Sequence, residues 1–402
     1  MMPVLRSSPG LTQRFLVVVA CCAGIWYSWR LARADYLFHK DTTASIRAAI
    51  ALVPDSWKYY MRLAQLDQGD SQNLLAAALS HNRHNAEADI EMGLQYEANG
   101  DFARAEHSLL QAYAVDHTYL PRWTLANYYF RRGNMPAFWI WARSAASMPS
   151  DNIGMLFVLC WRASPDARQI TAAIANDQPK FLRQYLGFLE TEDQPEEVAA
   201  IAKRLVLQGD PAGNRSTLLS AVNALVDDND ANAALSLWQI LIERHWIVAD
   251  ETMPNNADFA RTPLPVSFDW SLPQVSGMDS WAGQSALEAE FSGNEPESCT
   301  IAEQTISLKP GNYTLVYTYE TINIAPDTGL HWQIAETGSK SILTTSSDLS
   351  SNELEDATLK FSVPQGASLL RLRLIYQRAL GTAHISGTLV VRSVHIQPQP
   401  PS

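Results

Sequence analysis

The side chains in this sequence that could act on a substrate are few and lie far apart along the chain. His81 and His84 have the spacing of two metal ligands on one helix, but a catalytic zinc needs a third protein ligand. Glu288 and Glu290 would share one face of a strand, whereas the two carboxylates of a glycosidase face each other across the scissile bond. We interpret the histidines as helix-end residues and the glutamates as solvated surface groups. The sequence therefore predicts no metal site, no cofactor and no catalytic residue.

Common enzyme motifs and a disulfide framework are missing from the sequence as well. The chain contains no G-x-x-x-x-G-K-[ST], G-x-G-x-x-G, H-E-x-x-H or G-x-S-x-G motif. Its four cysteines include the adjacent pair Cys21 and Cys22, while Cys160 and Cys299 lie in different halves of the chain. We expect free thiols and a protein that does not catalyse a reaction.

A second set of residues has the chemistry of glycan recognition, which needs flat aromatic faces and fork-shaped polar groups in a groove. Four of its members should point outward from strands and two tryptophans should lie in loops: His331, Gln333, Arg371 and Arg373, with Trp270 and Trp281. An ordinary explanation stays open beside this one. Outward polar residues can simply be solvated, and the tryptophans can pin a loop against the domain core.

Length and composition indicate folded domains. The 402 residues are 47% hydrophobic and 18% charged, and a single core rarely grows beyond about 300 residues. Two folded bodies are therefore expected. The formal charge of -12 lacks the basic footprint that nucleic-acid binding needs, so we expect no nucleic-acid partner.

An apolar run near the N-terminus could cross a membrane. Residues 15–29 contain no charged side chain, and arginines flank them on both sides. As a helix this run spans about 22 Å, short of a bilayer core of about 30 Å, and an extension to residue 32 lengthens it. Trp26, Tyr27 and Trp29 lie at one end, where interfacial aromatic residues are found, and Arg30 could reach toward headgroups. We predict an uncleaved anchor over residues 15–32, behind a short tail at residues 1–14.

Two alternatives to an uncleaved anchor stay open. The stretch Ala32-Arg33-Ala34 offers a signal-peptidase site, and Val18-Val19-Ala20-Cys21 could be a lipoprotein signal. The anchor is favoured because it accounts for the whole run. Flanking charges do not fix the orientation, but the β-rich C-terminal half favours an extracytoplasmic body. The expected location is the inner membrane, single-pass, with the soluble body in the periplasm.

Residues 35–250 have a helical pattern with an internal repeat. One unit reads Asp89-x2-Met92-Gly93-x2-Tyr96, Gly100-Asp101 and Ala105-x3-Leu109-x2-Ala112; the next reads Trp123-x2-Ala126-Asn127-x2-Phe130, Gly133-Asn134 and Phe138-x3-Ala142-x2-Ala145. These spacings resemble the tetratricopeptide repeat, a helix-turn-helix unit of about 34 residues. The small residues let neighbouring helices approach, so Gly93, Ala105 and Ala126 should lie at helix contacts.

The repeat resemblance implies a curved stack of helix pairs that binds a peptide or protein partner. A solenoid that serves only as a spacer is the alternative. Aromatic residues in this half should pack between helices rather than contact a ligand, namely Tyr59, Tyr60, Tyr128, Tyr129, Trp139 and Trp141.

Beyond a Pro- and Asn-rich linker at residues 251–266, the pattern changes to alternation with period two. About eight strands are predicted, at 287–291, 304–308, 313–320, 330–334, 341–345, 359–363, 370–376 and 384–396. Each has one apolar face, which is typical of a two-sheet antiparallel sandwich. We place this domain at residues 267–397, followed by a tail at residues 398–402.

The C-terminal half resembles the jelly-roll carbohydrate-binding modules. The resemblance depends on Asn256-x-Asp258-Phe259, the strand LEAEFSG, the phrase ISLKPGNYTL, Gly329-Leu330-His331-Trp332 and the closing strand LVVRSVHI. Such modules often have an acidic pair before the last strand, whereas this chain has Arg392-Ser393. The resemblance implies a module that binds polysaccharide.

The order of anchor, repeats and sandwich is similar to that of bacterial membrane proteins associated with exopolysaccharide assembly and export. We therefore expect a non-catalytic, membrane-anchored adaptor whose repeats bind a protein and whose sandwich binds glycan or protein. An enzyme acting on polysaccharide, with convergent acids in the sandwich, is one alternative. A purely structural spacer is another.

Overall fold

The structure, a computed structural model, describes residues 11–67, 69–148, 152–250, 252–339, 341–366 and 368–399. Fourteen helices precede nine strands in these residues, which confirms the predicted fold class of helical repeats followed by an antiparallel sandwich. Of the predicted tails, residues 1–10 and 400–402 lie outside the described residues.

The helices are α1 Leu11–Phe38, α2 Thr43–Leu52, α3 Trp57–Leu66, α4 Ser71–His81, α5 Ala86–Ala98, α6 Phe102–Val115, α7 Tyr119–Arg131, α8 Met135–Ala146, α9 Gly154–Ala163, α10 Ala167–Ile174, α11 Pro179–Thr191, α12 Pro195–Leu207, α13 Pro211–Asp227 and α14 Ala231–Glu243. The strands are β1 Met278–Gly283, β2 Ala286–Ser292, β3 Ser298–Ile306, β4 Gly311–Ile322, β5 Leu330–Glu336, β6 Ile342–Thr345, β7 Glu355–Val363, β8 Leu370–Gln377 and β9 Ser386–Pro398.

Contacts divide the chain into two compact units. The first consists of Met1–Pro165 with Ala172–Ile174, and the second of Asp166–Thr171 with Ala175–Ser402. The division therefore falls inside the helical half, although the change from helix to strand occurs between Glu243 and Met278. The last helices share a unit with the sandwich.

In the first unit, the apolar helix α1 continues beyond the predicted anchor into the helical repeats. Residues Arg14–Phe38 form a helix long and apolar enough to cross a membrane. Its C-terminal end is packed, because Ala34 is fully buried in one cluster with Ile46 and Ala49 of α2. Arg30 was expected to reach toward headgroups. Its Nε donates to the carbonyl of Leu52 at the end of α2, where a helix leaves carbonyl groups without partners.

The helix pairs α5–α6 and α7–α8 follow the repeat spacing. A Cβ atom on Gly93 would lie 2.8 Å from Cγ of Leu109, so the absence of a side chain lets α5 and α6 approach. Ala105 and Ala126 are fully buried, as predicted. The turns between paired helices contain Gly100 and Gly133, with φ of 76° and 68°, a conformation that glycine adopts without strain.

The aromatic residues of the repeats are mainly packing residues. Tyr128 and Tyr129 are buried, and the hydroxyl of Tyr128 donates to the carbonyl of Phe102 at 2.9 Å. The expected helix-end position is confirmed for His81, which ends α4, whereas His84 lies after the helix. His81 stacks on Tyr60 with ring centroids 5.3 Å apart. All four cysteines are free.

In the second unit, the segment predicted as a linker is packed against the sandwich. Asn255 is fully buried and exchanges two hydrogen bonds with Gln304 of β3, its N–H to Oε1 at 2.7 Å and its carbonyl from Nε2 at 2.9 Å. The side chain of Asn256 closes a loop onto the backbone of Arg261. Phe259 is fully buried beside Trp270, with ring centroids 5.3 Å apart. The motif Asn256-x-Asp258-Phe259 therefore anchors this segment to the core.

The sandwich consists of two antiparallel sheets. One has the strand order β1-β2-β9-β4-β7 and the other β3-β8-β5-β6. Their inward side chains form one apolar core that includes Leu315, Tyr317, Trp332, Leu372 and Tyr376. Strand β1 was not among the predicted strands. Because every second residue of a strand points away from the core, the four-stranded sheet also has an outward face.

Candidate functional site

The outward face of the four-stranded sheet carries most of the predicted ligand-binding residues. Glu303, Arg373, Gln333 and Thr345 pair across strands β3, β8, β5 and β6 and form one row. Thr305, Arg371, Ala335 and Ile342 form the next row, and His331 lies two residues from Gln333 on β5. Period-two alternation placed His331, Gln333, Arg371 and Arg373 on one face correctly. The register of the strands then brings them together.

A cleft of about 700 Å³ adjoins this face. Its walls come from the edge strands β1 and β3, from Arg371 of β8, from residues 262–267 and 270–272 with Gln274, and from Asn223 and Asp227 of α13. Trp281 is 46% exposed on β1 and lines the cleft together with Arg371. The cleft thus combines an aromatic face, a guanidinium group and several hydroxyl and amide groups, which is the set of groups that sugar recognition requires.

Backbone pairing holds the wall of the cleft in place. Ser271 and Glu303 exchange two backbone hydrogen bonds of 2.8 and 2.9 Å, and Thr305 donates its N–H to the carbonyl of Ser267 at 2.7 Å. This pairing covers the edge of β3. Asn223 of α13 accepts from the N–H of Ser267 at 2.7 Å and donates to the carbonyl of Pro265 at 3.2 Å. The helix therefore fixes the same loop that borders the cleft.

A smaller hollow of about 160 Å³ lies on the outward face itself. Gln333, Arg371, Arg373 and Ile342 line it. Arg371 lines both the hollow and the cleft, so its side chain stands between the two.

The two arginines of β8 differ in their partners. Nε of Arg373 lies 3.3 Å from Oε2 of Glu303, its cross-strand neighbour, and each side chain is 30% exposed. The geometry makes this an ion pair without a hydrogen bond at Nε, whose N–H is buried. Within the described part of the chain, the side chain of Arg371 has neither an ion pair nor a hydrogen bond.

His331 is held as a neutral side chain. Burial lowers the pKa of its imidazole, and the carbonyl of Gly329, 3.1 Å from Nδ1, only partly opposes this effect. At neutral pH it therefore presents an uncharged polar edge to the sheet face.

Trp270 requires a correction, because it is a core residue. It is 2% exposed, and its Nε1 donates to the carbonyl of Asn256 at 3.2 Å. Its ring packs against Phe259 and Trp332. The alternative explanation, a tryptophan that pins the loop, describes Trp270. Trp281 was expected in a loop, which is wrong, since it lies in β1.

Sequence reasoning missed several residues that line the cleft. Glu303 would have been found if the predicted strand had begun before residue 304, because it precedes the buried Gln304 on the same strand; Thr305 lies inside the predicted strand but was not singled out. Asn223 and Asp227 had no local signal. Their helix meets a loop about 40 residues later in the chain, and such a contact leaves no periodic pattern.

Comparison with solved structures finds likenesses for each part of the chain. A structure described as "CBM4 structure and function" aligns with 36% of this chain, and the alignment covers 99% of the compared structure's own chain. The sequence identity is 15% and the TM-score is 0.29. Yeast Tom70 aligns with 53% of this chain, and the alignment covers 50% of the Tom70 chain, with a sequence identity of 13% and a TM-score of 0.33. YrrB, described as a TPR protein with an unusual peptide-binding site, aligns with 50% of this chain. The alignment covers 93% of the YrrB chain, with a sequence identity of 11% and a TM-score of 0.24. Likenesses of this degree carry no argument about function.

No family model matches the sequence, and no curated protein matches it.

Proposed function

We propose that the protein is a non-catalytic adaptor, held in a membrane by α1, whose helical repeats bind a protein partner and whose sandwich binds a glycan chain. The observation that carries the proposal is the cleft, where the exposed Trp281 and the partly buried Arg371 line one cavity beside a polar sheet face. An aromatic ring covers the apolar face of a sugar, and the polar groups fix its orientation. In the finer form of the proposal, the glycan is an exopolysaccharide and the adaptor takes part in its assembly or export.

The packing of α1 supports an uncleaved anchor, which in the finer form of the proposal lies in the inner membrane with the body in the periplasm. Cleavage after Ala34 would remove a residue that is fully buried against α2. The guanidinium groups of Arg30 and Arg33 each lie 5.4 Å from the ring centroid of a tryptophan one turn earlier, Trp26 and Trp29. Arginine and tryptophan side by side are typical of a membrane interface.

A hollow in the repeats supports a peptide or protein partner. It has a volume of about 410 Å³ and is lined by Phe102, Glu106, Tyr129 and Arg132, among others. Arg132 lies over the ring of Phe102, 3.5 Å from its centroid, and Tyr129 donates to Glu106 at 2.6 Å. Such a mixture of aromatic and charged groups suits a peptide that has both apolar and polar side chains.

A hydrolytic enzyme is the second candidate, since Asp227 and Glu303 line the same cleft. Glu303 is held in its ion pair with Arg373, an arrangement that orients the arginine. The enzyme hypothesis requires slow loss of polysaccharide during incubation with the chain, abolished by Asp227→Asn or Glu303→Gln. The adaptor hypothesis requires that the chain binds the polysaccharide and that no shorter product is formed during the incubation.

Affinity electrophoresis of the full chain in detergent tests the glycan part of the proposal. Native gels would each contain one polysaccharide, either neutral (laminarin, xylan or galactomannan) or uronate-bearing (polygalacturonate, alginate or hyaluronan). At least one gel should retard the chain, and Trp281→Ala should weaken the retardation about tenfold, as expected for a lost stacking contact. Leu354→Ala is the matched control, because Leu354 is exposed on the same sandwich and does not line the cleft.

Absence of retardation in every gel would leave the spacer hypothesis as the better account. Equal retardation of both variants and the unchanged chain would move glycan binding away from the cleft.

A further inference from the structure

We infer that the cleft takes an acidic glycan whose sugars carry carboxylates, and that Arg371 is the residue that binds the carboxylate. The inference depends on the proposed glycan-binding function and names the class of glycan.

The arginines of residues 252–399 are all paired with a carboxylate except Arg371. Arg261 lies 3.0 Å from Asp250, Arg373 lies 3.3 Å from Glu303, Arg378 lies 2.6 Å from Glu297 and Arg392 lies 3.2 Å from Glu320. In the part of the chain that the structure describes, Arg371 has no such partner. A guanidinium group remains charged at every physiological pH, so a partly buried one without an anion is costly unless a ligand supplies the anion.

The neighbours of Arg371 leave its guanidinium group accessible. On the adjacent strands it is paired with Thr305 and Ala335, which are short side chains without charge. Arg373, by contrast, has Glu303 and Gln333 in these positions. The same strand therefore carries one arginine that is paired internally and one that faces a cavity.

The rest of the cleft favours a carboxylate on a sugar over a more highly charged anion. The arginine fork matches the two oxygens of a carboxylate, and Trp281 offers the face on which a sugar ring packs. Asp227 and Glu303 also line the cleft, and the chain has a net charge of -12. A doubly charged phosphate would be repelled by these groups more strongly than a singly charged uronate would be.

Calorimetric titration of the full chain in detergent tests the inference. The probes are oligosaccharides of galacturonate, mannuronate and hyaluronan. Each is used as the unesterified acid, whose carboxylates are ionised at neutral pH, and as its methyl ester, which has the same rings without the charge. At least one acid should bind about tenfold more tightly than its own ester, the gain expected for a charge-assisted hydrogen-bonded pair. Raising the salt from low to high concentration should weaken binding of the acid and leave that of the ester unchanged.

Two variants make the assignment specific to one arginine. Arg371→Gln should remove the preference for the acid. Arg392→Gln makes the same change of charge on the five-stranded sheet and should preserve it. Thermal unfolding of both variants checks that the sandwich is intact.

The outcomes separate the inference from the proposed function. Equal affinity for every acid and its ester, or an acid preference that survives Arg371→Gln, overturns the inference. Binding of esters or neutral glycans that depends on Trp281 would at the same time uphold the glycan function. If no oligosaccharide of either kind binds, the inference fails; the proposed glycan function fails with it only if no polysaccharide gel, neutral or uronate-bearing, retards the chain.

Discussion

The helical repeats and the β-sandwich use their polar side chains differently. In the repeats, Asn85, Asp101 and Asn134 each accept a hydrogen bond from a backbone N–H at the start of a helix, and Tyr128 bonds to a carbonyl. On the outward face of the four-stranded sheet, the side chain of Arg371 has no such task in the described structure. The polar groups named in the repeats are committed to the fold, whereas Arg371 on the sheet face is available to a ligand.

This difference indicates where a function can be sought. A polar residue that completes a helix is constrained by the fold, so its presence says nothing about ligands. The two tryptophans of the predicted site illustrate the same distinction, because Trp270 is buried in the core and Trp281 is exposed beside the cleft.

The largest expected effect is the loss of stability when Trp270 is replaced by alanine. The ring packs between Phe259 and Trp332, with centroids 5.3 and 6.0 Å away. Its removal should destabilise the sandwich by about 3–5 kcal/mol, the cost of emptying a buried aromatic site. Hydrogen exchange of amides in β3 and β8 measures this as a fall in protection.

Trp281→Ala is the matched variant and should alter sandwich stability by no more than about 0.5 kcal/mol, because its ring is exposed. Equal losses of protection in both variants would erase the distinction between a core tryptophan and a surface tryptophan.

A smaller loss is expected from Gly93→Ala in the repeats. The new Cβ would lie 2.8 Å from Cγ and Cδ2 of Leu109 and 3.2 Å from the carbonyl oxygen of Ala105. Overpacking of this kind costs about 1–3 kcal/mol. The measurement is the urea midpoint for loss of protection in α5 and α6.

The control for Gly93 is Gly187→Ala. No atom lies within 4 Å of its added Cβ, so alanine in α11 should stabilise by about 0.5–1 kcal/mol through its higher helix propensity. Changes of the same sign at both glycines would contradict the packing explanation of the repeat spacing.

Not all of the repeats' polar groups are well accommodated, as Asp89 illustrates. Burial raises the pKa of its carboxyl to about 6, with partial opposition from the charge of His107. Because the folded pKa exceeds the unfolded one, the unfolded state releases its proton first as the pH rises from about 4 to 6, and stability falls over that range.

Asp89→Asn should therefore stabilise the first unit at pH 7 by on the order of 1 kcal/mol, a figure already reduced because solvent screens the half-exposed carboxyl. At pH 4 the same substitution should have little effect. Urea unfolding at the two pH values measures the difference. His107→Gln serves as the background control, since the charge of this side chain acts on the carboxyl of Asp89. If Asp89→Asn raises the free energy of unfolding equally at both pH values, the new amide, and not the removed charge, is the cause of the stabilisation.

The sequence alone predicts most of the fold, because periodicity is local. Period-two alternation placed His331, Gln333, Arg371 and Arg373 on one face, and the repeat spacing located the contact at Gly93. Strand β1 was missed since MDSWAG does not alternate between apolar and polar residues. The partners of the arginines could not be predicted, because the pairing of Glu303 with Arg373 depends on a strand register that shifts between Thr300 and Ala302.

The smallest effect expected is that of a single helix cap, and two aspartates make the comparison within the repeats. Oδ1 of Asp101 accepts from the N–H of Arg104 at 3.1 Å at the start of α6. Asp70 precedes α4 without capping it, since its carboxylate accepts from the side chain of Asn73 at 2.7 Å. Asp101→Ala should therefore destabilise the first unit by about 1 kcal/mol, and Asp70→Ala should destabilise it by a few tenths of a kcal/mol at most. The measurement is hydrogen-exchange protection of the amides in α6 and α4.

Asp101→Asn separates the capping hydrogen bond from the charge. The amide oxygen of asparagine can accept the same N–H, so this variant should retain nearly all the stability, although the carboxylate also lies 3.0 Å from Nε of Arg104. If both aspartates cost the same, charge near a helix start is what stabilises these helices. The polar groups of the repeats would then be no more committed to the fold than Arg371 is, and the contrast between the two regions would lose its physical basis.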